Sequence, residues 1–166
     1  MNRYAILAHE SFDYILSKTG NMLIRYRPNE VCVVIDQNQV GKTAKDVLGW
    51  GGEIPCVANF GEAKQYSPTH LIIGNAPQGG FLDDKNLMEI EHAIEFGCDI
   101  ISGMHTFLND NPQLMRKSKR NKVSLIDLRK PRLKPQFPKG TWKDRKFPVL
   151  LVVGSDCDTG KMTTAW

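Results

Sequence analysis

The sequence lacks the cysteine spacing of a zinc site or of a disulfide framework. Its four cysteines, Cys32, Cys56, Cys98 and Cys157, are far apart and form no CxxC pair. Zinc ligands and disulfides in small domains come in close, paired spacings. The cysteine pattern therefore predicts a protein of the reducing cytoplasm with no cysteine-based metal centre.

Long apolar runs are also missing. The N-terminal run from Tyr4 to Ala8 ends at His9 and Glu10, which is too short for the apolar region of a signal peptide. No segment reaches the ~20 apolar residues that a membrane span requires. We therefore expect no membrane association.

The charge is moderate and unevenly distributed. The 166 residues are 41% hydrophobic and 24% charged, with a net charge of +4, and allow one domain plus an appendage. The positive excess lies in residues 116–146, where Pro131, Pro135 and Pro138 interrupt any basic helix. Without interleaved aromatic residues this stretch is better interpreted as a linker than as a nucleic-acid-binding surface.

Apolar runs alternate with helical patterns from residue 31 onward. The runs are apolar on both faces, which is typical of a parallel sheet covered by helices on both sides. Residues 23–26 are a candidate for an additional strand. The pattern predicts an α/β fold with a Rossmann-like, mostly parallel open sheet. The predicted strands are 31–35, 54–58, 70–73, 99–102 and 123–126, and the predicted helices are 41–48, 60–66, one around 87–94 that stops at Gly97, and 111–119.

We predict three regions along the chain. Residues 1–129 form the Rossmann-like domain, and residues 130–146 form a basic, proline-rich linker. Residues 147–166 are interpreted as the start of a truncated P-loop domain, with a strand at 149–153 leading into a glycine loop. The fold class thus includes the first strand and loop of an incomplete P-loop NTPase-like domain.

The motif at the end of the chain is the most specific one in the sequence. A strand, a glycine loop and a Gly-Lys pair supply the backbone N–H groups and the charge that bind phosphate. The motif departs from the standard P-loop in two ways. Five residues, and not four, separate Gly154 from Gly160. Met162 stands where Ser or Thr normally binds Mg²⁺, so Thr163 or Thr164 would bind the metal only in a shifted register. The predicted cofactor-binding residues are Gly154, Ser155, Asp156, Cys157, Asp158, Thr159, Gly160, Lys161, Met162, Thr163 and Thr164.

Only six residues follow Gly160, which is less than two helical turns. A P-loop also needs a complete helix behind it and an acidic residue on a further strand. We therefore expect this chain by itself not to hydrolyse a nucleotide. An earlier Gly41-Lys42-Thr43 segment is interpreted as a helix start with an exposed lysine, which remains able to contact an anion.

Two further loops follow predicted strands, where open α/β sheets bind their ligands. One contains Gln78, Gly79 and Gly80, and the other contains Ser102 and His105. These are the candidate substrate-binding residues. His105 is the candidate catalytic residue, as a general base or carboxylate ligand, and capping of the following turn is an equally good interpretation. No GxGxxG motif follows the first predicted strand, so standard dinucleotide binding is not expected.

These motifs together resemble one family. The sequence from about residue 30 onward resembles the DgcN family, whose members include proteins assigned as D-glutamate N-acetyltransferases. The residues that carry this resemblance are Asp36 with Gly41-Lys42, the segments 76–80, 99–108 and 126–131, and the loop from Gly154 to Thr164, in which Met162 is a family trait.

The resemblance implies an N-acyltransferase in a protein of about twice this length, with this chain as its inactive N-terminal part. It implies that Lys161 and the loop hold phosphates of acetyl-CoA or of a nucleotide. The loops around Gly79 and His105 would help to hold a small amino-acid substrate.

Two alternatives stay open. The long glycine loop also resembles that of dethiobiotin synthetase, which would make the protein an ATP- or GTP-dependent ligase or kinase using Mg²⁺. The third possibility is a non-catalytic, truncated binding module. In each case a small-molecule ligand is expected without nucleic acid or membrane, and homo-oligomer formation is left open.

Overall fold

Six parallel strands form one open sheet in the computed structural model, which describes residues 2–75, 82–131, 141–155 and 161–165. Their spatial order, β3-β2-β1-β4-β5-β6, is that of the doubly wound Rossmann fold. The predicted fold class is therefore confirmed. The strands are β1 (Tyr4–Leu7), β2 (Val31–Ile35), β3 (Cys56–Val57), β4 (His70–Ile73), β5 (Asp99–Ser102) and β6 (Leu125–Asp127).

Helices connect successive strands and cover both faces of the sheet. None of those in the described parts of the chain is long and apolar enough to span a membrane. The helices are α1 (Lys18–Tyr26), α2 (Ala44–Leu48), α3 (Phe60–Ala63), α4 (Asp84–Phe96), α5 (Pro112–Asn121) and α6 (Lys161–Ala165).

The two longest helices start and stop at residues that the sequence marks. The side chain of Asp83 caps α4 by accepting from the backbone N–H of Asn86, and Gly97 ends the helix with a φ of 99°. Asn111 caps α5, and Pro112 occupies its first position. Side-chain acceptors at the cap and left-handed residues after the last turn satisfy backbone groups that the helix leaves unpaired.

The strand residues alternate between two apolar cores. Leu7, Ile35 and Ile73 belong to the core beneath α3, α4 and α5, whereas Ile6 and Val34 belong to the core beneath α1 and α2. Because successive side chains of a strand point to opposite faces, this alternation assigns each strand residue to one helix layer.

The first thirty residues correct the predicted organisation. Tyr4–Leu7 forms β1, which pairs with β2 and β4 in the middle of the sheet, although the sequence patterns placed the start of the sheet at residue 31. The strand considered at residues 23–26 is instead the end of helix α1. This segment is helical because its buried residues, Gly20, Asn21 and Ile24, have the spacing that places side chains on one face of a helix.

Residues 131–166 form a second compact unit, separate from residues 1–130. The strand predicted at 149–153 is not formed in the described part of this unit, and Leu150 and Leu151 are 93% and 76% exposed. A strand requires a neighbouring strand to pair its backbone groups, and none is present among the described residues of the unit. Helix α6 then begins at Lys161.

Candidate functional site at the switch point of the sheet

The strand order reverses between β1 and β4. The chain proceeds from β1 outward to β2 and β3, and then returns to place β4 on the other side of β1. In open α/β sheets, ligands bind in the crevice outside the carboxyl ends of the two strands at such a switch point. The relevant described residues are therefore 8–17, which follow β1, together with Gly74 and Asn75, which follow β4.

The carboxylate at the end of β2 is used to hold the loop after β1. Asp36 is buried, and its Oδ1 and Oδ2 accept from the backbone N–H groups of Glu10 and Phe12, both at 3.0 Å. Oδ1 also accepts from the N–H of Asn38 at 3.0 Å. An acidic residue near this position binds the ribose in dinucleotide-binding Rossmann domains. Here both oxygens are already engaged by the protein's own backbone.

The first turn of α1 is closed against the end of β4. The N–H of Gly20 donates to the carbonyl oxygen of Gly74 at 3.2 Å, and the hydroxyl of Ser17 donates to the same oxygen at 3.3 Å. In a standard Rossmann domain the start of this helix binds the pyrophosphate. Because Gly74 occupies the Gly20 donor, this domain does not offer that donor to a phosphate.

A buried histidine and a buried glutamate meet at the switch point. His9 follows β1, and its Nε2 lies 3.6 Å from Oε1 of Glu89 on α4, with the two side chains 2% and 7% exposed. The other oxygen, Oε2, accepts from the backbone N–H of Phe60 at 2.6 Å. The Glu89 carboxylate is thus held between α3 and the loop after β1.

The environment of Glu89 favours its charged form. Burial raises the pKa of this carboxyl group, but the His9 side chain and the Phe60 N–H lower it, so that the net pKa lies below the usual value. Hydrogen bonds and positive partners stabilise a carboxylate relative to the neutral acid. Glu89 therefore places a negative charge in the interior of the domain at neutral pH.

Two asparagines place unpaired acceptors at the same end of the sheet. Asn75 Oδ1, Asn86 Oδ1 and both ring nitrogens of His9 are buried and have no hydrogen-bond partner in the structure described. Asn86 lies one turn before Glu89 on α4, and its amide nitrogen donates to Asp83 at 2.8 Å. Buried polar atoms in folded proteins are nearly always paired, so the two asparagine oxygens are candidates for a donor that the described residues do not supply.

The register of the sheet places His9 and Asn75 after the ends of two paired strands. Leu7 pairs with Ile73, and the pairing continues through the N–H of Gly74, which donates to the carbonyl of Leu7 at 2.8 Å. Leu7 and Ile73 both face the α4 core. His9 and Asn75 lie two residues beyond Leu7 and Ile73, and the contact of His9 with Glu89 places its side chain on the α4 side.

The sequence-predicted residues Ser102 and His105 lie after β5 and not at the switch point. Ser102 is buried, and its hydroxyl oxygen accepts from the N–H of Met104 at 3.1 Å. His105 is exposed, and its Nε2 accepts from the Arg129 guanidinium at 3.0 Å. A guanidinium can only donate, so Nε2 of His105 is occupied as an acceptor in this structure.

Asp127 fixes the loop that carries His105. Its Oδ1 accepts from the N–H of Leu108 at 2.9 Å, and its Oδ2 accepts from the N–H of Asn109 at 3.0 Å and from the Asn109 side chain at 2.7 Å. Lys130 forms an ion pair with Asp110 at 2.6 Å. The loop is therefore anchored to the end of β6.

The two glycine-rich loops fall mainly outside the described residues. This applies to Gln78, Gly79 and Gly80, and to the part of the predicted phosphate loop from Asp156 to Gly160. Gly154 and Ser155 carry no helix or strand, and Lys161, Met162, Thr163 and Thr164 lie in α6. The assignments of phosphate binding and of metal binding by Thr163 remain predictions. No cluster of three or more His, Cys, Asp or Glu side chains forms a metal site in the described parts of the chain.

The sequence interpretation missed His9, Asn86 and Glu89, and it included Asn75 only as the first residue of the candidate ligand-binding loop 75–80. His9 carried a signal, because it is a polar residue directly after the apolar run that forms β1. Glu89 carried none, since it lies 80 positions along the chain within a helix of mixed polarity. Only the three-dimensional placement of α4 over β1 and β4 joins the two residues.

Strand order, crossover helices and a polar cluster at the switch point together define a Rossmann-like α/β domain without the standard dinucleotide contacts. The chain belongs to the DUF1611_N family, described as a Rossmann-like domain of unknown function, whose family model matches residues 37–131. It is also similar over 99% of its length to the crystal structure of a DUF1611 family protein from Anabaena variabilis, with a TM-score of 0.85 and 32% sequence identity. It covers 48% of that chain.

Two curated relatives carry a named activity. The chain is 38% identical over 104 residues to a D-glutamate N-acetyltransferase from Pseudoalteromonas sp., a match that covers 63% of this chain and 31% of the relative. It is 35% identical over 117 residues to a D-glutamate N-acetyltransferase from Tritonibacter scottomollicae, covering 66% and 34%. The matched part thus spans about a third of each relative, and the resemblance to the DgcN family is confirmed.

Proposed function

We propose that this chain is the Rossmann-like, N-terminal part of an N-acyltransferase that acetylates the amino group of D-glutamate. The observation that carries this proposal is the 38% identity over 104 residues to a protein named D-glutamate N-acetyltransferase. The Asp36 carboxylate and the Gly20 N–H are both hydrogen-bonded within the domain. This supports the proposal, because it argues against a nicotinamide-dependent reaction in this domain.

The proposed reaction joins an amine and a thioester. The amine nitrogen of D-glutamate attacks the acetyl carbonyl carbon of acetyl-CoA, the C–N bond forms, and the C–S bond breaks. The ammonium group of D-glutamate loses two protons in total. One goes to a base before the neutral amine attacks, and the other ends on the sulfur of coenzyme A, which leaves as the thiol. The reaction therefore requires a group that positions the amine and one that accepts its proton.

The predicted phosphate loop has a separate role in this proposal. Lys161, at the start of α6, and the preceding glycine loop would hold the phosphates of acetyl-CoA. A lysine and consecutive backbone N–H groups bind phosphate through charge and hydrogen bonds and do not require the acyl group. The donor and the acceptor would thus be bound by different segments of the protein.

The test is an acetyl-transfer assay on the complete protein that contains these residues. Release of the coenzyme A thiol is followed with acetyl-CoA and D-glutamate, and the Pseudoalteromonas relative serves as the positive control. We expect thiol release that depends on D-glutamate and the appearance of N-acetyl-D-glutamate by mass spectrometry. The 166-residue chain alone is expected to show no turnover.

The opposite outcome is equally specific. If the relative is active while the complete protein releases no thiol with D-glutamate, L-glutamate or other amino acids, the proposal is wrong. Mg²⁺-dependent release of ADP or GDP in place of acyl transfer would instead support the ligase or kinase alternative.

A further inference from the structure

The buried polar cluster at the switch point is rich in acceptors. It consists of the Glu89 carboxylate, the side-chain oxygens of Asn75 and Asn86, and the His9 ring, and each of these four residues is at least nine-tenths buried. Both asparagine oxygens and both ring nitrogens lack a hydrogen-bond partner within the described structure, and a neutral imidazole ring has one acceptor nitrogen. A ligand that fits this cluster must bring donors.

We propose that His9, Asn75, Asn86 and Glu89 bind the protonated amine of an amino-acid ligand. This inference rests on the proposed function, in which an amino acid is the acyl acceptor, and it assigns recognition of the amine to the switch point. An ammonium group offers three donors and a positive charge. These match the unpaired acceptors and the buried carboxylate.

The tautomer of His9 favours this arrangement. With Glu89 Oε1 facing Nε2 at 3.6 Å, the ring proton belongs on Nε2, because a carboxylate can only accept. In the neutral form of the ring, Nδ1 then carries the lone pair and is the acceptor. Glu89 therefore sets the side of the ring that a ligand N–H can approach, as carboxylates do for metal-binding and catalytic histidines.

The charges around the cluster argue against an anionic ligand. Glu89 is negative, and Lys85, a lysine of the same helix, lies 3.4 Å from the carboxylate of Glu10. Glu10 also accepts from the side chain of Gln37 at 2.9 Å. A phosphate or carboxylate placed against Glu89 would be repelled by a charge of the same sign, whereas an amine is attracted.

The test compares two ligands that differ only in the amine. D-glutamate and glutarate share the same two carboxylates and carbon chain, but glutarate has no amino group. Binding to the 166-residue chain is measured by isothermal titration calorimetry for each compound. Because charge-assisted hydrogen bonds are lost with the amine, we expect D-glutamate to bind about ten-fold or more tightly than glutarate.

Two variants test which residues cause the preference for D-glutamate over glutarate. Glu89→Gln keeps the shape and an acceptor for the Phe60 N–H but removes the charge, and it should reduce the preference for D-glutamate about ten-fold while leaving glutarate binding unchanged. Asn75→Ala removes one unpaired acceptor and should reduce the preference by a smaller factor. It tests the proposal independently if the Glu89 variant does not fold.

The matched control is Glu91→Gln on the same helix. Glu91 lies on another part of α4, where its side chain contacts Lys117 at 3.0 Å. Its replacement is expected to leave the preference for D-glutamate over glutarate unchanged. Equal affinities for D-glutamate and glutarate, absence of binding by either, or unchanged discrimination in both the Glu89 and Asn75 variants would each overturn the proposal.

These outcomes separate the inference from the proposed function. Amine-dependent binding through Glu89 without acetyl transfer in the complete protein would support the site and reject the transferase. Acetyl transfer with no change in discrimination in the Glu89 and Asn75 variants would support the transferase and reject this site.

Discussion

The backbone N–H of Gly20 donates to the carbonyl oxygen of Gly74 at 3.2 Å, which joins the first turn of α1 to the end of the neighbouring strand β4. The contact is close because neither residue has a side chain. It places a backbone carbonyl at the helix start, where other Rossmann domains hold a pyrophosphate. This domain therefore keeps the switch point of the Rossmann fold, but the N–H of Gly20 is not available to a pyrophosphate.

Replacement of Gly20 by alanine should destabilise the domain. A Cβ at this position would lie 2.7 Å from Ser17 Oγ and 2.8 Å from Ile6 Cγ2, and Ile6 is fully buried. Overpacking of this kind typically costs about 1–3 kcal/mol. Urea denaturation followed by circular dichroism should show a free energy of unfolding reduced by that amount.

Gly103→Ala is the matched control. Outside residues 102–104, no atom lies within 4 Å of a Cβ built at Gly103, so we expect a change in the free energy of unfolding of less than about 0.5 kcal/mol. Equal effects of the two substitutions would show that the close approach of α1 to β4 does not limit stability.

Asp36→Asn should also destabilise the domain, through lost hydrogen bonds. Both carboxylate oxygens of Asp36 accept backbone N–H groups of Glu10 and Phe12, and an amide can provide only one acceptor in place of two. The –NH₂ group would then face a backbone N–H, at a cost of about 1–3 kcal/mol. The measurement is again urea denaturation.

Asp13→Asn distinguishes this effect from a general effect of charge removal. The N–H groups of Ile15 and Leu16 both donate to the same oxygen, Oδ1, of Asp13, at 2.7 and 2.6 Å. An asparagine keeps that oxygen, so the substitution should change the free energy of unfolding less than Asp36→Asn does. A larger effect at Asp13 would contradict the hydrogen-bond explanation.

Local patterns in the sequence were sufficient for much of the fold. Strands β2, β4 and β5 were predicted with their observed bounds, because uninterrupted apolar runs are bounded by polar or turn residues. Gly97 and the Asn111-Pro112 pair marked the end of α4 and the start of α5. These signals act within a few residues and need no knowledge of the tertiary fold.

The centre of the sheet and the switch-point cluster could not be predicted in this way. Strand β1 has four residues, and its burial comes from β2 and β4 on either side. Residues 23–26 have a short apolar pattern, which periodicity cannot assign to strand or helix. The His9–Glu89 contact depends on the packing of α4 against the sheet.

Asp127 should control the mobility of the loop after β5. It accepts three hydrogen bonds from Leu108 and Asn109, and alanine at this position leaves their N–H groups without an acceptor. Hydrogen–deuterium exchange of both amides is expected to become at least about ten-fold faster. The lost hydrogen bonds lower the free energy that local opening of the loop requires. Asp110→Asn, which alters only an exposed ion pair with Lys130, should leave the exchange unchanged.

The buried thiols of Cys56 and Cys98 should be unreactive in the folded protein. Burial, the largest effect, raises the pKa of both Cys56 and Cys98 to about 12, with additional effects from Asp36 and from Cys32 respectively. At pH 8 only about one such thiol in ten thousand is then the reactive thiolate. In a Cys32→Ser/Cys157→Ser variant, which retains only these two thiols, Ellman's reagent should modify neither residue until the protein is unfolded. Rapid modification of either would contradict their burial.

Glu89 should make the free energy of unfolding decrease as the pH falls into the acid range. The pKa of this carboxyl group is lower in the folded state than its usual value, despite burial, which raises it, because His9 and the Phe60 N–H favour the anion. The unfolded chain then binds a proton more readily than the folded chain. Glu89 therefore stabilises the fold above the ordinary glutamate pKa of about 4.3, and this contribution is lost as the pH falls through the lower folded-state pKa.

The measurement compares the free energies of unfolding of the wild type and Glu89→Gln from pH 7 down to the lowest pH at which both remain folded. Glutamine carries no titratable proton, so the advantage of the wild type should be constant near neutrality and should decrease only in acid. A difference that stays constant across the acid range would mean that Glu89 titrates equally in the folded and unfolded states. A difference that grows in acid would mean that burial outweighs its partners, and that the cluster at the switch point favours a neutral acid over the carboxylate that amine binding requires.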